Sequence, residues 1–430
     1  MKHIVLKPGE QQRICAGHPW VYDNEVDAVL DHRRTALLQA GELADVESAD
    51  RNYLGRAIVN PHSKILARIY SRSKEGLDKG FFKRRIRQSI ARRSLYNLSC
   101  ESARLVFGEA DFLPGFIADR FVGWPRAALE ASSIELPYTF EACVPALGLP
   151  QSWLALQFLS YGMDARRKEI LEALEEVLAE GLGKPSGIIE KSAPKMREYE
   201  GLPSGEGLLQ GSVPNEGIVI FENSFPLCVQ LNEGQKTGFF LDQKENHRAI
   251  APFVRGKSVL DLCCYSGAFG IHAGRFGAKE VLCVDLSKQA LALAQDNARL
   301  NGLCITTMEA DVFTALRSIH RQERCFDLII LDPPAFAKSH STLDQALRGY
   351  KEINLQALLC LEKGGVLVSC SCSQALGEAR FKRMIADAAL DAGCRLHQIE
   401  FRSQASDHPI LIGYDESFYL KCGIYQKQQP

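Results

Sequence analysis

A chain of 430 residues is too long for one ordinary hydrophobic core, so two or three domains are expected. Hydrophobic content of 46% beside 24% charged residues describes a globular protein, and no apolar stretch approaches the length of a membrane-spanning helix. A net charge of −1 excludes a globally basic nucleic-acid binder, so any phosphate-contacting surface must be local.

The start, "MKHIVLKPGEQQR", has no apolar core of a signal peptide. None of the 14 cysteines falls in C-x-x-C spacing, which argues against a zinc site, and a disulfide framework is not expected at this size. Free thiols in a large chain without a signal point to the reducing cytosol.

Residues 1–73 read as short strands, "HIVLKP", "ELADVES", "YLGRAIV" and "KILARIY", separated by turn residues. A small all-β module is expected. In "GHPWVY", Trp20 and Tyr22 share a face if the segment is extended. Core packing accounts for at least one of them, and Trp20 is the candidate substrate contact.

Residues 71–95 hold nine Lys/Arg against Glu75 and Asp78. Phe82, Ile86 and Ile90 recur at helical spacing, which leaves Lys83, Arg84, Arg87 and Arg92 off the apolar stripe. Two readings stand level: a solvated helix face, or a surface for phosphates at Lys83, Arg84 and Arg87. Further on, "MDARRKEILEALEEVLAEGLG" is an amphipathic helix ending at glycines. Residues 122–152 are expected to form a surface excursion. The segment 74–225 as a whole mixes strands and helices and is read as a central α+β domain.

From 226 to 430 short apolar runs alternate with helices: "KSVLDL", "EVLCVD", "FDLIILD" and "GGVLVSC" are the strands. This pattern predicts a doubly wound, mostly parallel sheet whose ligands sit at the carboxyl ends of its strands. The first strand runs into "LDLCCYSGAFG", with Gly267 and Gly270 opening a helix. The second ends in Asp285, placed to accept ribose hydroxyls, and Asp311 in "EADVF" falls beside the expected adenine. G-x-G-x-x-G is absent, which weakens a dinucleotide reading and with it an oxidoreductase.

The turn from Asp261 to Gly267 resembles the D-x-G-x-G-x-G motif of class I S-adenosylmethionine methyltransferases, with Cys263 and Tyr265 in place of its first two glycines. "DPPAF" (Asp332 to Phe336) resembles the fourth motif of base-modifying methyltransferases. Its prolines stiffen a loop and Phe336 is placed to stack on a base. In "SCSCS", Cys372 lies closer to the carboxyl edge than Cys370, so Cys372 is the candidate nucleophile and Cys370 a packing residue. A thiolate adding to carbon 6 of a pyrimidine makes carbon 5 nucleophilic, which methylation at that carbon requires.

With "GHPWVY", "GEADFLPGFIADRF", "GQKTGFFLDQKENHR", "GYKEIN", "SCS" and "ASDHP" in order, the chain resembles bacterial 23S ribosomal RNA 5-cytosine methyltransferases of the RlmI type over nearly its whole length. The resemblance implies a multidomain α/β chain: a PUA-like β-barrel (1–73), a central α+β domain (74–225) and a Rossmann-like methyltransferase domain (226–430). It implies catalysis by Cys372 and a base held by Pro333, Pro334 and Phe336, and it leaves the carbon 5 proton to water or to Asp332. Phe239, Asp242, Asp261, Ser266, Gly267, Asp285, Leu286, Asp311 and Val312 are the expected contacts of S-adenosyl-L-methionine. Ribosomal RNA is the implied partner, without membrane or metal and with a homodimer left open. The sequence departs from the family at "CCYSGAFG", at an apparent insertion over 122–152 and at Gln374, where glycine is common. "DPPAF" also lacks the second cysteine that many RNA 5-cytosine methyltransferases use for product release. Competing readings are methylation of an exocyclic guanine nitrogen, which needs no thiol, and a non-catalytic RNA-binding or cofactor-sensing protein.

Overall fold

The computed structural model describes residues 1–31, 34–232, 234, 237–336 and 343–428. Gln235 and Lys236 of the "GQKTGFF" stretch lie outside the described residues. Among the described residues three sheets follow one another along the chain, each with seven strands.

The first sheet uses the predicted segments as Lys2–Leu6, Leu43–Glu47, Tyr53–Val59 and Ala67–Ser71, and adds Trp20–Val21, Val26–Asp31 and Arg34–Thr35. Alternate apolar residues Ile4, Leu6, Val46, Ala57 and Val59 face one small core. Among the described residues its end strands, Trp20–Val21 and Arg34–Thr35, do not pair with each other.

The second sheet is centred on Phe116–Pro125, flanked by Gln151–Phe158 and Ile218–Glu222. Helices α1 (Lys79–Ala91) and α2 (Arg167–Ala179) pack on it. Asp78 caps α1 by accepting the Phe81 N–H at 2.9 Å, and the predicted stripe is buried at Phe82 and Ile86. The expected boundary at 226 cuts this sheet. Phe225–Val229 is the hairpin partner of Ile218–Glu222, joined by Asn223 and Ser224, both left-handed (φ 50° and 71°). That is the type I′ geometry that matches strand twist, so the central unit extends through Val229.

Residues 122–152 are not a surface excursion. Trp124, Leu129, Tyr138 and Cys143 are buried against Phe221, Cys228, Leu293 and Leu300, so the segment cements the central sheet to the domain that follows.

The third sheet contains β1 (Ser258–Leu262), β2 (Glu280–Asp285), β3 (Thr306–Glu309), β4 (Phe326–Leu331), β5 (Leu361–Ser371), β6 (Arg395–Arg402) and β7 (Lys421–Gln428). Their order is 3-2-1-4-5-7-6, parallel throughout except for β7. Helices α3 (Ala268–Arg275), α4 (Lys288–Leu300), α5 (Val312–Arg321), α6 (Leu343–Leu359) and α7 (Glu378–Asp391) are its connections. Cores on both faces, one around Leu260, Ile329 and Leu367 and the other around Val259, Ile330 and Val368, explain why these strands read as continuous apolar runs. The order reverses between β1 and β4, which opens a crevice at their carboxyl ends. No helix among the described residues is long and apolar enough to cross a membrane.

Candidate active site

The crevice is shaped first by the turn after β1. Cys263, Tyr265 and Gly267 all have left-handed backbones, with φ of 59°, 48° and 74°. These are the three positions that carry glycine in D-x-G-x-G-x-G. The departure therefore lies in the side chains, while the backbone path is kept at a cost of about 1–2 kcal/mol for each non-glycine residue. Tyr265 has compensating contacts. Its N–H donates to Asp285 Oδ2 at 2.9 Å, its hydroxyl donates to the Gly238 carbonyl at 3.3 Å, and its ring meets Phe240 edge-on. At Gly267 a β-carbon would stand 2.9 Å from Ala294 Cβ.

Asp285, ending β2, also accepts the Ser287 N–H at 2.9 Å and so ties the turn to the next helix. Asp311 caps α5, accepting from Phe313 N and Thr314 N. Asp261 is buried in β1. One oxygen accepts the Gly270 N–H at 2.9 Å and the other, Oδ1, is buried without a hydrogen-bond partner. Burial pushes its carboxyl up to about 7.

These strand ends line a cavity of about 400 Å³. Of the expected cofactor residues it gathers Phe239, Asp242, Asp261, Ser266, Asp285, Leu286, Asp311 and Val312; Gly267 shapes the turn without lining it. Asp332, Pro333, Pro334, Phe336 and Cys372 complete the wall.

The two thiols of "SCSCS" separate cleanly. Cys370 is fully buried within β5, opposite Cys422 of β7. A hydrogen bond with Cys422 and burial push it well above the ordinary thiol range. Cys372 follows the last residue of β5, is half-buried and faces the cavity. Its neighbours Ser371 and Ser373 are fully buried. Tyr350 of α6, from "GYKEIN", lies 2.8 Å from Ser373 Oγ, accepts the Phe336 N–H at 3.4 Å and stacks on the Phe336 ring with centroids 4.6 Å apart. One buried phenol thus joins the "DPPAF" loop to the thiol segment. Gln243 donates to Asp332 Oδ2 at 3.0 Å and is itself held by Asn246.

The remaining expected substrate contacts lie elsewhere. Lys83 and Arg87 meet Glu176 of α2 and Glu180 just after it, and Arg84 meets Glu75. The basic face of α1 is therefore charge-matched, which favours the first of the two readings given above over an open phosphate surface. Trp20 is not an open stacking platform either. Its indole N–H donates to Glu109 at 2.9 Å and its ring packs edge-on against Tyr414, so it sits at the junction of the first domain with the catalytic one.

Behind the cavity, Glu222, His247 and His272 bring one ligand atom each within 4.8 Å of the others. Hydrogen bonds already use these atoms: His247 Nδ1 lies 2.6 Å from Glu222, and Asn223 donates to His272 Nε2 at 3.0 Å. Burial lowers His272 to about 4, so this ring is neutral.

A PUA-like domain family matches residues 4–72, and the S-adenosylmethionine-dependent methyltransferase family matches residues 143–415. Ribosomal RNA large subunit methyltransferase I of Shewanella amazonensis is 38% identical over 424 residues, 97% of each chain. The protein of that name from Vibrio cholerae is 35% identical over 425 residues, again 97% of each. The chain belongs to the ribosomal RNA large subunit methyltransferase I family. Among solved structures, a protein assigned as a methyltransferase and complexed with SAH has a TM-score of 0.79 at 20% identity, covering 99% of this chain and 100% of that one. A Streptococcus mutans protein assigned as S-adenosylmethionine-dependent reaches 0.78 at 20% identity with the same coverage. These two show the fold.

As a member of this methyltransferase family the chain uses S-adenosylmethionine, and the cavity suits it. Asp242, Asp261, Asp285, Asp311 and Asp332 line it, and no Lys or Arg does among the described residues. Such a wall attracts a ligand bearing a sulfonium and an ammonium and repels a pyrophosphate. Asp261 Oδ1 is an acceptor in want of a donor, and Asp285 and Asp311 stand at the successive strand ends where hydroxyls and a base edge are expected. Sequence reasoning misses Gln243 and Tyr350: both fall inside the quoted motifs, but what they touch is visible only in three dimensions.

Proposed function

We propose that the protein forms 5-methylcytosine in large-subunit (23S) ribosomal RNA through a covalent adduct of Cys372 at carbon 6 of the base. One observation carries this reading: Cys372, and not Cys370, reaches the acid-lined cavity, on the same wall as the rigid "DPPAF" loop. A methylated exocyclic nitrogen would have no use for a thiol there.

In this reading the base lies against Pro333, Pro334 and Phe336, whose ring is already backed by Tyr350. The Cys372 thiolate forms a bond to carbon 6, and the electron pair is delivered at carbon 5. S-adenosylmethionine supplies the electrophilic methyl group. Asp332, oriented by Gln243, takes the carbon 5 proton, and the electrons left behind expel the thiolate. This replaces the second cysteine that "DPPAF" lacks. The PUA-like domain adds RNA contacts outside the cavity, and the substrate places the enzyme in the cytoplasm. Nucleoside mass spectrometry of RNA methylated by the purified protein tests the reading. 5-Methylcytidine is expected; a methylguanosine instead would overturn it.

A further inference from the structure

The buried cation beside the thiol segment is unexplained by the steps above. Lys421 opens β7 directly opposite Ser371 of β5. Its side chain is 1% exposed. The Nζ donates to the Ser373 carbonyl at 2.6 Å and to the Tyr419 carbonyl at 2.7 Å. Among the described residues no carboxylate pairs with it. A buried ammonium without a counter-ion is costly, and burial brings Lys421 down to about 8.

The two carbonyls occupy two N–H groups. An ammonium keeps a third N–H, and a neutral amine keeps its lone pair in the same place. Cys372 stands between Ser371, the cross-strand partner of Lys421, and Ser373, whose carbonyl Lys421 holds, which brings the thiol segment against the ammonium. The other titratable groups near the pair are Tyr350 from α6, Cys370 of β5, Asp332 at the end of β4 and Tyr419 just before β7, whose hydroxyl is engaged by Asp242.

We propose that Lys421 is the positioning residue that readies Cys372 by holding its thiolate as an ammonium–thiolate pair. The Sγ–H bond breaks, the Nζ–H bond forms, and the proton stays within the pair until the thiolate adds to its substrate. The arrangement follows the general rule that a neighbouring lysine shifts a thiol toward its reactive form. This inference rests on Cys372 being the attacking thiol.

The test is alkylation of the full-length protein by iodoacetamide across a pH series, with Cys372 resolved by peptide mass spectrometry. In the wild type, Cys372 should react with a midpoint below the ordinary thiol value of about 8.5. In Lys421→Gln, which keeps donors for the carbonyls but cannot carry the charge, the midpoint should rise by about one unit, so the rate at pH 7 falls about tenfold. An unchanged midpoint in the folded variant overturns the proposal. If the variant does not fold, a wild-type midpoint at or above about 8.5 does so. A merely structural lysine would not move this midpoint. If Cys372→Ala keeps methylating RNA, the cytosine reading falls instead, while the titration still reports on the pair.

Discussion

Tyr350→Phe isolates what the buried phenol does for the site. The substitution keeps the ring stacked on Phe336 and removes only the oxygen that lies 2.8 Å from Ser373 Oγ and accepts the longer 3.4 Å bond from Phe336 N. Beside Ser373 water does not readily replace the lost atom, since Tyr350 and Ser373 are fully buried, while Phe336 is half-buried. Losing a buried hydrogen bond costs about 0.5–1.5 kcal/mol, and the longer second bond brings the total to about 1–2 kcal/mol. If that loss falls on the placement of the thiol relative to the "DPPAF" loop, the methylation step slows about 5–30-fold. Tyr350 does not line the cavity, so S-adenosylmethionine affinity should be unchanged. Single-turnover methylation of RNA at saturating cofactor, beside calorimetric binding of the cofactor, separates the two effects. An unaltered rate in a folded variant, or a matching loss of cofactor affinity, would refute the reasoning.

Other perturbations test the crevice piece by piece. Asp261 has its folded value raised to about 7 from 3.8, so the folded state binds this proton more tightly. Its contribution is present below pH 3.8 and is lost as pH rises through 7, about 4 kcal/mol in all. Asp261→Asn should therefore gain on the wild type between pH 4 and 7, read by hydrogen exchange of peptides covering 258–275; parallel pH slopes would contradict this. Gly267→Ala meets a positive φ and the Ala294 methyl, and should lower thermal stability by roughly 1–3 kcal/mol and weaken cofactor binding. Lys83→Ala should leave the salt dependence of RNA binding unchanged, because that cation is matched by glutamates; a shallower slope would place a phosphate there.

What could be read from the chain followed from local rules. Parallel strands put ligands at their carboxyl ends, so Asp285, Asp332 and Cys372 were legible from strand boundaries alone. The three left-handed positions of the first turn were legible only as a resemblance, since two carry side chains that ordinarily avoid that backbone. The hairpin at Asn223–Ser224 was passed over because neither residue is glycine. The segment 122–152 misled because its helices, Arg126–Glu130 and Phe140–Leu147, are too short for a periodic stripe; their burial comes from the central sheet and from α4, both distant in sequence. For the basic face of α1 and for Trp20 the chain left the role open for a related reason. Charge and aromaticity are visible in a sequence, but the glutamates and tyrosine that occupy them are not. Lys421 escaped notice because a lone lysine in "FYLKCG" carries no pattern until β7 pairs with β5.

The central claim is that Cys372 attacks the base. The most direct measurement is denaturing gel and mass-spectrometric detection of a protein–RNA adduct with target RNA carrying 5-fluorocytidine, which has no carbon 5 proton to release. The wild type and Cys370→Ala should form the adduct on Cys372, and Cys372→Ala should not. An adduct that survives in Cys372→Ala, or that is lost in Cys370→Ala alone, would contradict the account.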